Sequence, residues 1–532
     1  MPGGGGEIAV WALRGTVITM DDAATVHADG VVWIGDDGRI AAVAPAAAPP
    51  PAAFAGVAPV AAGGMIYPGL IDLHNHLPYN TIGLWTDPDR RVPWLDHNQW
   101  PRAASYGPNV SQPGSFLGWV SAPSLLAYVE MKAIVGGTTT VQGNGKVNHT
   151  IDGALARNID SEKFGTTHDL FRVTTIVSAK ATDLVPVAQA MVTKSAGFIY
   201  HLAEGVNPKL LKEWAIAVDG GVVRKGLIAI HATALGPQQL AALAAADASV
   251  VWSPFSNLWL YGGTLDVAAA RAAGVRVCLG SDWAPSGTKH VLGELKVAAL
   301  ANADPGAWRQ PAAAGTVRGP LFSDLELCRM VTSNPGDAIA SVAGAQVGRL
   351  QPGWLADLVV MRTRVADPYR NLIRATERDV RLVLVGGEAR YGMPALMTSA
   401  GATNAVDVTI GTLARRAVIR SPQNAERFLA WTDVVARLQA VRAEPAAAAR
   451  ELALALAAVG GDLDRPDAPL VVFGDMPLPG GGAPWSAGRN DPPLPCPIPD
   501  LQSLVHDAAW FDAVDGNTFH RGLLSPLRGF YP

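Results

Sequence analysis

The chain has 532 residues, 49% of them hydrophobic, with 42 Lys and Arg set against 46 Asp and Glu for a formal net charge of −4. That length exceeds one ordinary domain and suits a large α/β barrel with attachments, while the nearly balanced charge without a Lys/Arg run argues against nucleic acid or an anionic membrane as partner. Cys278, Cys328 and Cys496 are too few and too scattered for a disulfide framework or a cysteine metal site.

The opening Met-Pro-Gly-Gly-Gly-Gly-Glu has no basic n-region, and no later apolar stretch is long enough to span a bilayer, so the expectation is a cytoplasmic protein. Short β-like runs follow at residues 8–13, 15–19 and 30–34, and Asp36-Asp-Gly38 is a hairpin signal before the run at 39–43. Residues 44–64, rich in Ala and Pro, read as a low-complexity surface loop.

Next comes Pro68-Gly-Leu-Ile-Asp-Leu-His-Asn-His76. Leu70, Ile71 and Leu73 read as a short buried strand, with His74 and His76 projecting from one face at its end. Two imidazoles so placed make half a site for Zn²⁺ or Fe²⁺. The loop from Tyr79 to Trp119 is long and carries Trp85, Trp94, Trp100, Tyr106, Phe116 and Trp119 among Arg90, Arg91 and Arg102. On a catalytic face such a loop forms a pocket wall whose rings stack on a planar ligand; alternatively the rings pack the loop onto the protein.

From residue 138 strand and helix alternate. The apolar runs at 138–141, 172–177, 197–201, 226–231, 248–252 and 275–282, with a weaker one at 154–159, are separated by Ala-rich helical stretches such as 238–246 and 267–273. Repeated βα units argue for a parallel sheet, barrel or open. Three runs end in His201, His231 and Asp282, and in a (β/α)₈ barrel all strand ends converge on one face. His74, His76, His201 and Asp282 would then offer three nitrogens and one carboxylate to one divalent ion, with room for water. His97, His149, His168, His290, His506 and His520 lack strand-end placement and read as structural or exposed.

A β pattern returns at 348–361 and 380–387, and could pair with the N-terminal strands into one sheet domain built from both ends. Beyond residue 392 come helical runs, notably 424–442 and 446–459, then a Pro/Gly-rich stretch at 460–499 expected to be extended, and an aromatic closing segment at 511–532. The expected division is 1–66 and 347–395 as two parts of a β-sandwich, 67–346 as the barrel, and 396–532 as an extension.

The ordered set Pro68-Gly-Leu-Ile-Asp-Leu-His-Asn-His76, His201-Leu-Ala-Glu204, Ile230-His231-Ala-Thr, Ser253-Pro-Phe-Ser-Asn257 and Leu279-Gly-Ser-Asp282 resembles the amidohydrolase superfamily, over about residues 8–391. It is most similar to the branch holding cytosine and guanine deaminases and triazine chlorohydrolases. The resemblance implies a (β/α)₈ barrel with a β-sandwich and one metal ion, Zn²⁺ or Fe²⁺, on His74, His76, His201 and Asp282. It also implies Glu204 as proton shuttle, His231 beside the bound water, and Asp282 as acceptor of that water's proton. Binuclear relatives use a carboxylated lysine on the fourth strand, which keeps Lys180 as a minority alternative.

The implied reaction is hydrolytic deamination of a planar N-heterocycle or amidine-like small molecule. Amide, ureido or C–Cl hydrolysis on the same fold, and a catalytically silent barrel acting as a binding protein, are the alternatives. Trp85, Trp94, Trp100, Asn257, Trp259 and Trp283, with Tyr261, are candidate pocket residues, and Trp283 stands where a small or polar residue is expected. A homo-oligomer of two or four chains, with no nucleic-acid or membrane partner, completes the expectation.

Overall fold

The structure, a computed structural model, describes residues 10–164, 170–174, 180–309, 317–344, 346–476 and 492–531. His168, residues 175–177 of one expected strand, and much of the 460–499 stretch lie outside the described residues.

The core strands, numbered here in chain order, are β1 (Leu70–Asp72), β2 (Thr138–Val141), β3 (Arg157–Asn158), β4 (Phe171–Thr174), β5 (Gly197–Leu202), β6 (Leu227–His231), β7 (Ser249–Trp252) and β8 (Arg276–Leu279). They form two parallel sheets, one of β1, β2 and β3 and one running from β8 through β7, β6 and β5 to β4. A parallel bridge between Asn75 and Asp282 joins the ends of β1 and β8, with Asp282 N donating to His74 O at 2.9 Å and His76 N to Asp282 O at 3.0 Å. The weak run at 154–159 thus holds a real strand, β3.

Of these, β1, β2, β5, β6 and β7 are buried on both faces, which is why they read as continuous apolar runs rather than as alternations. Ile71, Leu73, Ile199, Ile228, Ile230, Val251 and Cys278 pack together into one cluster. Their neighbours Phe198, Tyr200, Leu227, Ala229, Val250 and Val277 turn the other way into the main core, beneath the helices. The period of two therefore sorts each strand between two apolar environments.

The second layer is a nine-stranded sheet built from both flanks. Trp11–Ile18 pairs antiparallel with Val26–Ile34, which pairs with Ile40–Pro45 across the Asp36-Asp-Gly38 turn. The runs expected at 8–13 and 15–19 are one strand, with its register shifted between Gly15 and Val17.

Two expectations fail here. Residues 44–64 are not all loop, because Val60–Pro68 is a strand at the middle of the sheet, parallel to Trp11–Ile18 and antiparallel to Leu358–Met361. This strand leads through Gly69 directly into β1 and so anchors the end of the chain that carries His74 and His76. In the C-terminal part, residues 424–428 are a strand rather than the start of a helix, and Val406–Ile410 and Leu413–Ala417 extend the nine-stranded sheet past residue 395.

Helices Trp431–Ala443 and Pro445–Ala458 follow, with Trp431 stacked on Tyr128 at 5.5 Å. The Tyr79-to-Trp119 stretch is a loop only in part: a π turn at Gly107–Ser111 runs into helix Gln112–Val120. Among the described residues no helix is long and apolar enough to cross a membrane.

Candidate active site

His74 and His76 leave β1, His201 lies within β5, His231 ends β6, and Asp282 follows β8. The structure brings all five together. The His74 ring lies 5.0 Å from those of His76 and His231 and 4.7 Å from that of His201, centroid to centroid. Asp282 Oδ1 is 3.0 Å from His74 Nε2 and 3.8 Å from His76 Nε2. None of the five is more than 6% exposed.

Local backbone strain aims two of these groups. His231 and Asp282 have φ of +62° and +64°, a left-handed conformation that costs a non-glycine residue of the order of 1–3 kcal/mol. Strict alternation would send His231 to the side of Leu227 and Ala229; the left-handed turn at the strand end breaks that alternation. Asp72 braces the strand end that carries His74 and His76. Its carboxylate accepts from Ser281 N at 3.0 Å and Ser281 Oγ at 2.5 Å, and from Asn75 Nδ2 at 3.1 Å, tying the end of β1 to the end of β8.

The donor set fits a single divalent ion. His76 Nε2 is buried with no hydrogen-bond partner, a state that normally costs about 1–3 kcal/mol and marks a group kept for another partner, and His74 Nε2 faces the carboxylate of Asp282. Asp282 faces them as a carboxylate: burial pushes its pKa up, but the surrounding imidazoles outweigh this and hold it below the ordinary range.

His231 belongs to a different part of the site. Trp252 Nε1 donates to Thr264 Oγ1 at 2.7 Å, and Thr264 Oγ1 donates to Asn257 Oδ1 at 2.9 Å. The Asn257 amide nitrogen is thereby turned to His231 Nδ1, 3.1 Å away. Nδ1 must accept, so the proton of the neutral ring sits on Nε2. Burial lowers the pKa of His231 to about 3, which keeps the ring neutral. An Nε2–H cannot ligate a metal, and His231 is instead a hydrogen-bond donor aimed into the site.

Glu204 lies beside it, with Oε1 3.7 Å from His231 Nε2. The Tyr261 hydroxyl donates to Oε1 at 2.6 Å and receives from Trp100 Nε1 at 3.0 Å, whereas Oε2 is buried without a partner. Burial pushes the Glu204 carboxyl up to about 7, with the Asp282 charge acting in the same direction against His97. The backbone of this segment is pinned by His97 and Glu213: Glu213 accepts from Ala203 N at 2.8 Å and pairs with His97 Nε2 at 2.6 Å.

The candidate pocket residues divide. Trp100 reaches Glu204 through Tyr261, Asn257 touches His231, and Trp283 lies 6.1 Å from His76 and 5.6 Å from both Trp100 and Tyr79. Trp85, Trp94 and Trp259 hold the loop in place: Trp259 Nε1 donates to Trp85 O at 2.8 Å, Trp94 N donates to Leu260 O at 2.8 Å, and Arg90 covers the Trp94 ring. Lys180 is exposed and precedes helix Ala181–Thr193, unlike the buried ligand set.

One contact at the site had no forerunner in the sequence. Asp475, in the stretch expected merely to be extended, places Oδ2 2.7 Å from His76 Nδ1. Among the other histidines, His97, His290, His506 and His520 are buried and paired, His149 is half-buried, and none of these joins the donor set.

Residues 190–390, which hold His201, Glu204, His231 and Asp282, match the family model described as Amidohydrolase family. The chain is 25% identical over 370 residues to the 5-methylthioadenosine/S-adenosylhomocysteine deaminase of Pyrococcus furiosus, covering 62% of the chain and 84% of that protein. Among solved structures it resembles a zinc-complexed atrazine chlorohydrolase from Arthrobacter aurescens, with TM-score 0.54 and 20% identity over 71% of this chain and 94% of the other. It also resembles guanine deaminase from Bradyrhizobium japonicum, with TM-score 0.54 and 17% identity over 72% and 99%. The two structural likenesses establish a shared fold.

Proposed function

We propose that this chain is an amidohydrolase-type, metal-dependent hydrolase of C–N bonds, removing an amino group from a planar nitrogen heterocycle. The observation that carries this reading is one buried space holding four converging metal donors and, beside them, a carboxyl whose pKa sits near neutrality, Glu204. The deaminase activities named for the Pyrococcus and Bradyrhizobium proteins support an amino-bearing heterocycle as substrate.

His74, His76 and His201 would hold the ion through imidazole nitrogen and Asp282 through carboxylate oxygen, a mixed set that suits Zn²⁺. Bound there, such an ion lowers the pKa of a water towards about 7 and supplies the hydrolytic nucleophile at neutral pH. Asp282, held ionised, accepts the proton of the attacking water. Glu204 delivers a proton from Oε2 to a ring nitrogen or to the departing amine, a task that needs a carboxyl able to change state near pH 7. His231 donates its Nε2–H to the oxygen on which charge develops. Trp100 and Trp283 close the site to water and present ring faces to a planar substrate.

On this reading β1 to β8 close into a (β/α)₈ barrel within residues 67–346, flanked by the nine-stranded sheet, whose strands run from Trp11 to Pro68 and from Leu358 to Ala417, and by the rest of the C-terminal extension.

The test is ammonia release by the Zn²⁺-loaded protein from aminopurines, their nucleosides, aminopyrimidines and aminotriazines, with chloride release from chlorotriazines and hydrolysis of amides and ureas as controls. Ammonia from at least one amino-heterocycle, lost in Glu204→Gln, is the expected result. Chloride release or amide cleavage without ammonia would overturn deamination.

A further inference from the structure

The ligand His76 is gripped from outside the core strands. Asp475 Oδ2 lies 2.7 Å from His76 Nδ1, so the imidazole proton sits on Nδ1 and the Nε2 lone pair is turned to the other donors, His74 and Asp282. Asp475 lies far beyond the family-matched residues 190–390, in the C-terminal extension.

The segment carrying Asp475 is held on both sides. Val472–Phe473 pairs antiparallel with Lys146–Val147, which follows β2. Phe473 packs edge-on against Trp119 at 5.4 Å. Asn148 receives Val471 N at 2.8 Å and donates to Leu463 O and Pro469 O. Val472 O approaches Gly118 so closely that a Cβ there would sit 2.3 Å away. Met476 N donates to the Tyr79 hydroxyl at 3.3 Å. Asp475 is thus fixed by its neighbours on either side, with Oδ1 buried and without a partner.

We propose that Asp475 is a positioning residue of the metal centre: the C-terminal extension supplies the carboxylate that sets the tautomer and orientation of His76. A carboxylate behind a ligating imidazole fixes the ring and raises its basicity, and losing such a partner typically costs about 10–100-fold in metal affinity. The inference rests on the metal-site reading above and gives the extension a share in the active centre.

The test uses the full chain, stripped of metal and reloaded with Zn²⁺ under chelator competition and with Co²⁺ as an optical probe. Wild type is compared with Asp475→Asn, which keeps the shape of the side chain, and with Asp475→Glu, which keeps the charge. The expected result is a 10–100-fold weaker Zn²⁺ affinity and a shifted Co²⁺ visible band in Asp475→Asn, partial recovery in Asp475→Glu, and an unchanged melting temperature of the metal-free protein.

Equal affinity and an unchanged band in Asp475→Asn would overturn the inference while leaving the metal site standing. So would a fall in metal-free melting temperature that accounts for the weaker binding. Failure of the wild type to bind either ion would overturn the metal-site reading, and this inference with it.

Discussion

Two buried histidine–carboxylate clusters can be compared directly. One gathers His74, His76, His201 and Asp282; the other gathers His290, Glu377 and His506, from the start of helix Val291–Ala303, the 3-10 turn Glu377–Asp379 and the C-terminal extension. By composition both could hold a metal. In the second, Glu377 Oε1 accepts from His290 Nε2 at 3.0 Å and from His506 Nδ1 at 2.6 Å, while Gly293 N reaches His290 Nδ1 at 3.3 Å and Lys289 N reaches His506 Nε2 at 3.4 Å. Every ring nitrogen there has a partner. In the first cluster His74 Nδ1 and His76 Nε2 have none, and His74 Nε2 faces the carboxylate of Asp282, itself one of the donors. Ligand-type residues in proximity do not make a site; hydrogen-bonding capacity left unused in a dry interior does.

The sharpest way to break the comparison is to remove a donor from each cluster. His201→Ala or Asp282→Asn should lose the metal and lower kcat by about 10³-fold or more, since the hydrolytic water then lacks its activator. Glu377→Gln should keep the metal content of wild type. Atomic absorption on the purified variants, with ammonia release, checks both. Next in size, Glu204→Gln should retain the metal and lose about 10²–10⁴-fold in kcat, the range of a missing general acid or base.

For the second cluster the effect should fall on stability. Glu377→Gln replaces a charged acceptor shared by two buried imidazoles, and should lower the unfolding free energy by of the order of 1–3 kcal/mol, read as a lower melting temperature. The pH dependence has a definite sign. Burial lowers the pKa of His506 to about 3 from its ordinary 6.5, so the unfolded chain binds more protons between those values. This contribution to stability is complete above about pH 6.5 and declines as pH falls towards 3. Thermal melts across that range, with and without Glu377→Gln, should show it.

The smallest expected effect concerns Tyr261, whose hydroxyl favours ionised Glu204. Tyr261→Phe should lower kcat by roughly tenfold, the worth of one such bond. It should also move the alkaline limb of the pH–rate profile to higher pH, because Glu204 then stays protonated longer.

Much of the site was legible because strand ends announce it: His74, His76, His201, His231 and Asp282 each close an apolar run, and converging strands turn sequence order into proximity. What was hidden depends on tertiary partners. Val60–Pro68 reads as loop because Ala61, Ala62, Gly63 and Gly64 have low strand propensity, yet strands on both sides impose the extended form. The left-handed backbone at His231 leaves no mark in the residue type. Asp475 was invisible because it meets His76 across 399 positions of chain, from a segment whose composition suggests only an extended strand. The second cluster shows the reverse: His290 and His506 carry no strand-end signal, and their structural reading agrees with their filled hydrogen bonds.

The most direct test of the central claim is the metal content of the purified full chain, wild type beside His201→Ala and Glu377→Gln. About one divalent ion per chain, lost in His201→Ala and kept in Glu377→Gln, is the result predicted here. Two ions per chain, or metal lost on mutating Glu377, would show that the filled cluster also binds metal; no ion in the wild type would contradict the account altogether.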